Sequence, residues 1–245
     1  MFLLSILFSY TIASRMTMTS DLESEILALR DKRLTPKQIA RKLGLKVSQV
    51  NSVIKASAEQ TAIARAETGE LAPVAQCLVN TNCALRLLEA QAIDEHDIGG
   101  LGMVLVARTT GYKRFVVCTY MVDYWCLGLK DTMGEKKLND TKYQQFLNMA
   151  YRGFPDGYCE IALEQAQAIV YGAIDYAAEL GFKPHKDFQK TKNHLGSWNG
   201  QPKLTFGRQG KPYFIEGPYD NAAQIMHTLR KNVGEGNFDY LIGLG

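Results

Sequence analysis

Three groups of residues in this chain have types and spacings that could do chemistry. The first is a basic segment from Arg30 to Lys55, where eight lysine and arginine residues face one acid, Asp31, giving a charge of +7. Because the whole chain carries +3, the remaining residues sum to −4. Closely spaced cations of this kind bind polyanions. A solvated basic surface without a partner is the alternative interpretation.

The second group lies around Cys126, which follows Asp123 by three positions. A cysteine beside a general base can act as a nucleophile, but no histidine lies near Cys126 in the sequence. Its neighbours Trp125 and Leu127 are apolar, and a cysteine in such surroundings is commonly a small core residue. We therefore predict a buried thiol at the end of a strand and structural roles for Cys126 and Asp123.

The third group comprises His185, Asp187 and His194. These side chains could bind a metal ion or exchange protons. His185 and Asp187 closely follow Gly181, a predicted helix end, so we favour a role in fixing that corner. The glycine-rich stretches "GRQGKP" and "GEGN" lack the ending and context of phosphate-binding loops and are predicted to be turns. No catalytic residue, metal ligand or cofactor is therefore assigned.

The basic residues must be positioned by secondary-structure elements. The stretch "LTPKQIARKLGLKVSQVNSVIKA", residues 34–56, predicts two short helices joined by a tight turn. Thr35 can cap the first helix, with Pro36 at its first position and Gln38 as the capping-box partner. Gly44 then allows the chain to leave the helix sharply.

Apolar spacing predicts how these two helices pack. Ile39 of the first helix faces Val50, Val53 and Ile54 of the second, which repeat at helical spacing. Residues 22–33 predict a third, preceding helix. The remaining residues of the second helix are left for solvent or a ligand: Val47, Ser48, Gln49, Asn51, Ser52 and Lys55.

This segment resembles the helix-turn-helix unit of bacterial transcription regulators and sigma-factor-type domains. The resemblance implies that the second helix enters the major groove of DNA. Ser48, Gln49 and Ser52 are then the candidates for base contacts, with Gln49 able to pair bidentately with adenine.

Lys46 departs from the family pattern, which places Ser or Thr there as a helix cap, and this weakens the expected capping. The candidates for phosphate contacts are Lys37, Lys42, Lys46 and Lys55. The residues that match the family are Ile39-Ala40, Leu43-Gly44-Leu45, Val50 and Val53. A helix-turn-helix used for protein contacts and a chance match are the alternatives.

The rest of the chain predicts mixed helices and strands. "LGMVLVAR" with "RFVVCTYMVDYW" predicts one hairpin, and "PKLTFG" with "KPYFIEG" predicts a second. "NFDYLIG" predicts a final strand, and helices are predicted in "PVAQCLVNTNCALRLLEAQ", "NDTKYQQFLNMAYRG", "CEIALEQAQAIVYGAIDYAAELG" and "DNAAQIMHTLRKNVG". The region from about Gly99 to the end contains four further motifs: "YMVDYWCLGLKD", "YGAIDYAAELGFKPHKDF", "FGRQGKPYFIEGPYD" and "VGEGNFDYLIG". Through these motifs the region resembles an uncharacterised bacterial protein family that is sometimes joined to helix-turn-helix segments. That resemblance implies no known activity.

The predicted fold class is α+β, with a small three-helix helix-turn-helix unit followed by a larger α+β domain. Residues 1–17 form an apolar leader, 18–57 the helix-turn-helix domain, 58–98 a helical linker region, and 99–245 the α+β domain. The leader lacks the basic start of a signal peptide and is too short to span a bilayer. We favour an over-extended start, with a membrane or secretory segment and a structural element as the alternatives.

Two function classes follow. In the first, the chain is a DNA-binding transcriptional regulator whose α+β domain senses a ligand or mediates assembly. In the second, that domain is an enzyme, such as one that processes nucleic acid, which the helical unit delivers to DNA. The expected partners are double-stranded DNA, a small-molecule effector and a second copy of the chain, without a membrane. Five cysteines at irregular spacing indicate reduced thiols and a cytoplasmic location.

Overall fold

The structure is a computed structural model that describes residues 21–68, 70–89 and 99–243. The predicted leader, residues 1–17, lies outside the described residues. The chain divides into two compact units. Unit 1 comprises Met1–Glu70 with Thr110–Tyr112, and unit 2 comprises Leu71–Thr109 with Lys113–Gly245. Residues 71–89 therefore belong to unit 2, whereas the sequence had assigned them to a linker.

Unit 1 contains the three predicted helices. They are α1 (residues 21–31), α2 (Pro36–Leu43) and α3 (Val47–Thr68). Helix α3 continues well beyond residue 56, so the first part of the predicted linker belongs to the same helix. The three helices share a small apolar core formed by Ile26, Leu29, Ile39, Ala40, Val50 and Ile54.

Unit 2 is built on a five-stranded antiparallel sheet with the strand order β4-β3-β2-β1-β5. The strands are β1 (Val74–Asn80), β2 (Leu101–Gly111), β3 (Arg114–Asp123), β4 (Gly128–Asn139) and β5 (Tyr158–Ile161). Strands β2 and β3 form the first predicted hairpin, joined at Tyr112 and Lys113. Together with the helices, this sheet confirms the predicted α+β class.

Both faces of the sheet are covered, because consecutive side chains of a strand point to opposite sides. In β2, Val104 and Val106 belong to the core cluster that contains residues of helix α6 (Leu163–Glu179). Leu105 belongs to the cluster on the other side, which contains residues of helix α5 (Asp140–Ala150). Burial on both faces explains the continuous apolar run "MVLVA".

Three further helices complete unit 2: α4 (Thr81–Leu87), α7 (Phe188–Leu195) and α8 (Ala222–Asn232). Helix α8 forms a third core cluster with Phe214 of strand β6 (Tyr213–Ile215) and with Phe238, which directly precedes the last strand, β7 (Asp239–Leu241). None of the helices in the described ranges is long and apolar enough to cross a membrane.

Several predicted elements of unit 2 were wrong. The stretch around Val74–Asn80 was predicted as helix but is strand β1, and only Thr81–Leu87 is helical. Strand β4 and helix α7 were not predicted. The second predicted hairpin does not form, because β6 pairs in parallel with β7 from the chain's end. Only an isolated bridge, Arg208 to Lys211, remains at the expected turn.

Candidate nucleic-acid interface

Helix α2 begins with the predicted capping box. The backbone N–H of Thr35 donates to Gln38 Oε1 at 2.8 Å, and the N–H of Gln38 donates to Thr35 Oγ1 at 3.3 Å. Pro36 occupies the first helical position, where its missing N–H costs no hydrogen bond. The start of α2 is therefore fixed by local sequence, as predicted.

The turn between α2 and α3 is short and well bonded. Gly44 ends α2 in the left-handed region, with φ of 66°, and its N–H donates to the carbonyl of Ala40. The N–H of Leu45 donates to the same carbonyl at 2.9 Å, and the Leu45 side chain packs against the core of unit 1. These contacts set the direction in which α3 leaves the turn.

Gln49 caps the start of α3 in place of the missing serine or threonine. The backbone N–H of Lys46, just before the helix, donates to Gln49 Oε1 at 2.9 Å. This contact is one half of a capping box, with the glutamine at the third helical position. The expected weakness of the cap at Lys46 is therefore partly offset by a residue that the sequence had assigned to base contacts alone.

The polar side of this helix pair faces solvent. No acidic residue occurs between Lys32 and Lys55, so the cations here have no carboxylate neighbour in the local sequence. All seven predicted contact residues are exposed: Lys37, Lys42, Lys46, Ser48, Gln49, Ser52 and Lys55. Arg41, which adjoins Lys42 on the last turn of α2, is also exposed and adds a cation that was not among the predicted contact residues. The arrangement can bind an extended anion.

Two polar residues on α3 are less available than their types suggest. The hydroxyl of Ser52 donates to the carbonyl of Ser48 at 2.9 Å. Asn51, predicted to face solvent, is half-buried, and its Oδ1 has no hydrogen-bond partner among the residues that the structure describes. The exposed polar residues in the first turns of α3 are therefore chiefly Ser48, Gln49 and Ser52.

Asp123, the last residue of β3, and Cys126, in the turn before β4, are both buried in unit 2. Asp123 Oδ1 accepts the backbone N–H groups of Trp125 and Cys126, each at 3.0 Å. Burial raises the pKa of Asp123 to about 6, and burial also raises the pKa of the Cys126 thiol. A buried thiol with a raised pKa is a poor nucleophile, and the predicted burial of Cys126 is confirmed.

His185 and His194 have separate surroundings. His185 lies between α6 and α7, where its backbone N–H donates to Leu129 and its Nδ1 accepts the N–H of Asp187 at 3.4 Å. His194 is buried, with its Nε2 at 3.0 Å from the carbonyl of Val106. No group of three metal-binding side chains occurs in the described parts of the chain.

Two glycine-rich turns and a cleft are further candidate ligand sites in unit 2. "GRQGKP" and "GEGN" are turns, as predicted, with the N–H of Arg208 donating to Lys211 at 2.8 Å. A cleft of about 210 Å³ opens where β1 meets α4 and the loop before β5. On its wall Asn82 Nδ2 donates to Asp156 Oδ2 at 2.5 Å.

No protein-family model, curated protein or solved structure matches this chain. The resemblances to helix-turn-helix regulators and to an uncharacterised bacterial family therefore stay predictions from the residues.

Proposed function

We propose that this chain is a DNA-binding protein of the transcription-regulator class and that α2 and α3 form its DNA-binding surface. One observation carries the proposal. A bonded turn joins α2 to α3, and the exposed residues from Lys37 to Lys55 are basic or neutral, with no acid among them. This is the charge distribution that a phosphate backbone attracts.

The proposed binding mode is the one that the resemblance to helix-turn-helix units implies. The first turns of α3 enter the major groove and bring Ser48, Gln49 and Ser52 to the base edges. Lys37, Lys42, Lys46 and Lys55 neutralise phosphates, which positions the helix without selecting a sequence.

The test replaces lysines with the neutral glutamine. In Lys42→Gln and Lys46→Gln we expect weaker binding to all duplexes alike, and each change should lower the salt slope by about 1. Lys231→Gln is the matched control, because Lys231 is an exposed lysine in the last turn of a helix of unit 2. Fluorescence anisotropy with labelled duplexes measures the affinities.

Two results count against this surface. The first is an equal loss of affinity in Lys231→Gln, which indicates attraction by overall charge. The second is unchanged affinity in both unit 1 variants, which places any DNA contact elsewhere.

For unit 2 we propose ligand sensing or assembly, in a cytoplasmic protein. The cleft beside Asn82 and Asp156 offers amide and carboxylate groups to a small-molecule effector. All five cysteines are free, which fits a reducing compartment. The enzyme alternative has less support, because Cys126 and His194 are buried and Asp123 is bonded to the backbone. Sedimentation of the full chain with and without duplex DNA tests whether it assembles as a homodimer.

A further inference from the structure

The cleft of unit 2 is held in shape by hydrogen bonds between its walls. The backbone N–H of Thr81, at the start of α4, donates to the carbonyl of Gly157 at 3.1 Å. The hydroxyl of Thr81 donates to the carbonyl of Asp156 at 2.8 Å. Within the loop, the N–H of Gly157 donates to the carbonyl of Phe154 at 3.0 Å. The loop is thus fixed to α4, and the cleft of about 210 Å³ is largely preformed.

The charge of this cleft has one sign. Asp156 is the only charged residue among the described residues that line it, and no lysine, arginine or histidine is among them. One carboxylate oxygen of Asp156 accepts from Asn82 Nδ2. The other carboxylate oxygen and the amide oxygen of Asn82 are acceptors, and neither accepts a hydrogen bond from the residues that the structure describes. Because these two side chains touch, their acceptors lie close together.

The other walls of the cleft are largely apolar. They include Leu101, Tyr124, Phe154 and Pro155, and the Leu101 side chain is 38% exposed. Clefts that combine apolar walls with a few polar groups bind small molecules, which the polar groups orient. The volume is smaller than the roughly 300 Å³ at which sites for drug-sized ligands begin. The ligand that fits is therefore a single ring or a short chain.

We propose that this cleft binds a small organic cation, a primary amine attached to an apolar body. The ammonium group donates to the carboxylate of Asp156 and to the amide oxygen of Asn82, and hydrogen bonds from a charged donor to a carboxylate are the strong ones. The apolar body lies against Leu101 and Phe154. This inference rests on the effector role proposed for unit 2, and it names the chemical class of the effector.

Three probes of similar shape and different charge test the class. Phenethylamine is a cation at neutral pH, 2-phenylethanol is neutral, and phenylacetate is an anion. Isothermal titration calorimetry with the full chain measures the affinity for each probe. Phenethylamine should bind at least about fivefold more tightly than 2-phenylethanol, which is the contribution of a partly exposed ion pair. Phenylacetate should bind most weakly, because the carboxylate of Asp156 repels it.

Two variants and a control assign the effect to the cleft. Asp156→Asn keeps an oxygen for the N–H of Asn82 and removes the charge, so phenethylamine and 2-phenylethanol should then bind equally. Leu101→Ala removes apolar wall and should weaken the binding of all three probes alike. Asp175→Asn is the matched control, because Asp175 is exposed on α6 and does not line the cleft. It should leave every affinity unchanged.

The outcomes separate this inference from the function on which it rests. Binding of 2-phenylethanol or phenylacetate as tight as that of phenethylamine overturns the cationic class and leaves an effector role for the cleft. A loss of the amine preference in Asp175→Asn equal to that in Asp156→Asn also overturns it, since the preference then reflects overall charge. Failure of all three probes to bind at millimolar concentration overturns both this inference and the effector role of the cleft.

Discussion

In unit 1 the polar side chains on the outer side of α2 and α3 are exposed. In unit 2, by contrast, several side chains of the types used in binding and catalysis are buried and bonded to the backbone. Lys42 and Lys46 face solvent with no acid nearby in sequence. Arg108 of β2 is only 6% exposed, and it donates to the carbonyls of His194 at 2.8 Å and Ala72 at 2.7 Å.

The difference shows that residue type alone does not indicate function. A cation that is already bonded to buried carbonyls holds segments of the fold together. An exposed cation without such bonds loses little when it binds a phosphate. The same reasoning separates Asp123 and His194, whose polar atoms are bonded to backbone groups of the fold, from Gln49 and Ser52, which keep bonding capacity for a partner.

The largest expected effect is on the free energy of unfolding, and it comes from comparing a buried arginine with an exposed one. Arg108→Met leaves two carbonyls without their charged donor and should lower the free energy of unfolding of unit 2 by about 3–4 kcal/mol. Urea unfolding followed by tryptophan fluorescence reports on this unit, because the only two tryptophans, Trp125 and Trp198, belong to it. Arg41→Met, on the exposed side of α2, should change stability by less than about 0.5 kcal/mol, measured by helical circular dichroism. Equal losses of stability in the two variants would show that the burial of an arginine does not determine how much it contributes to stability.

A smaller effect is the change in stability with pH that the titration of Asp123 causes. Burial raises its pKa to about 6 in the folded protein, above the value of about 4 for an unfolded chain. The folded state therefore holds the proton more tightly, and this carboxyl group lowers stability as pH rises through that interval. The loss by pH 7 is on the order of 2–3 kcal/mol.

Asp123→Asn isolates this effect, because asparagine keeps an oxygen for the N–H groups of Trp125 and Cys126 and does not titrate. The free energy of unfolding of the variant, relative to the wild type, should rise between pH 4 and pH 7 by about 2–3 kcal/mol. A difference that stays flat or falls with pH would mean that the hydrogen bonds favour the charged carboxylate more than burial opposes it.

The smallest expected effect lies in the turn of unit 1. Gly44 has φ of 66° and open space around the position of a Cβ, so Gly44→Ala costs only backbone strain, about 1 kcal/mol. Gly153 has similar open space without a left-handed backbone, and Gly153→Ala should be nearly neutral. Thermal unfolding of both variants, followed by circular dichroism, makes the comparison. A neutral Gly44→Ala would mean that the turn tolerates a side chain.

Local sequence predicted unit 1 well because its signals are local. Thr35, Pro36 and Gln38 bond or adjoin one another within one helical turn, and Gly44 needs only its own backbone conformation. The role of Gln49 was only partly predicted. Residue type indicated an exposed amide, but the missing cap at Lys46 was the available signal that the amide would bond to its own helix.

Unit 2 was predicted less well because its strands depend on distant partners. The run "CLV" in β1 is buried on both faces, so it lacks the polar alternation that distinguishes a strand from a helix. Strand β4 is rich in charged residues and glycine, and it is a strand because it pairs with β3. The partner of β6 comes from the end of the chain, and no local pattern specifies that pairing.

The central claim is that the basic surface of α2 and α3 binds duplex DNA. The most direct measurement is the affinity of the full chain for a duplex across a series of salt concentrations. With four lysines neutralising phosphates, the slope of log affinity against log salt should be about −3 to −4. A flat dependence, or no binding even at low salt, would contradict the claim.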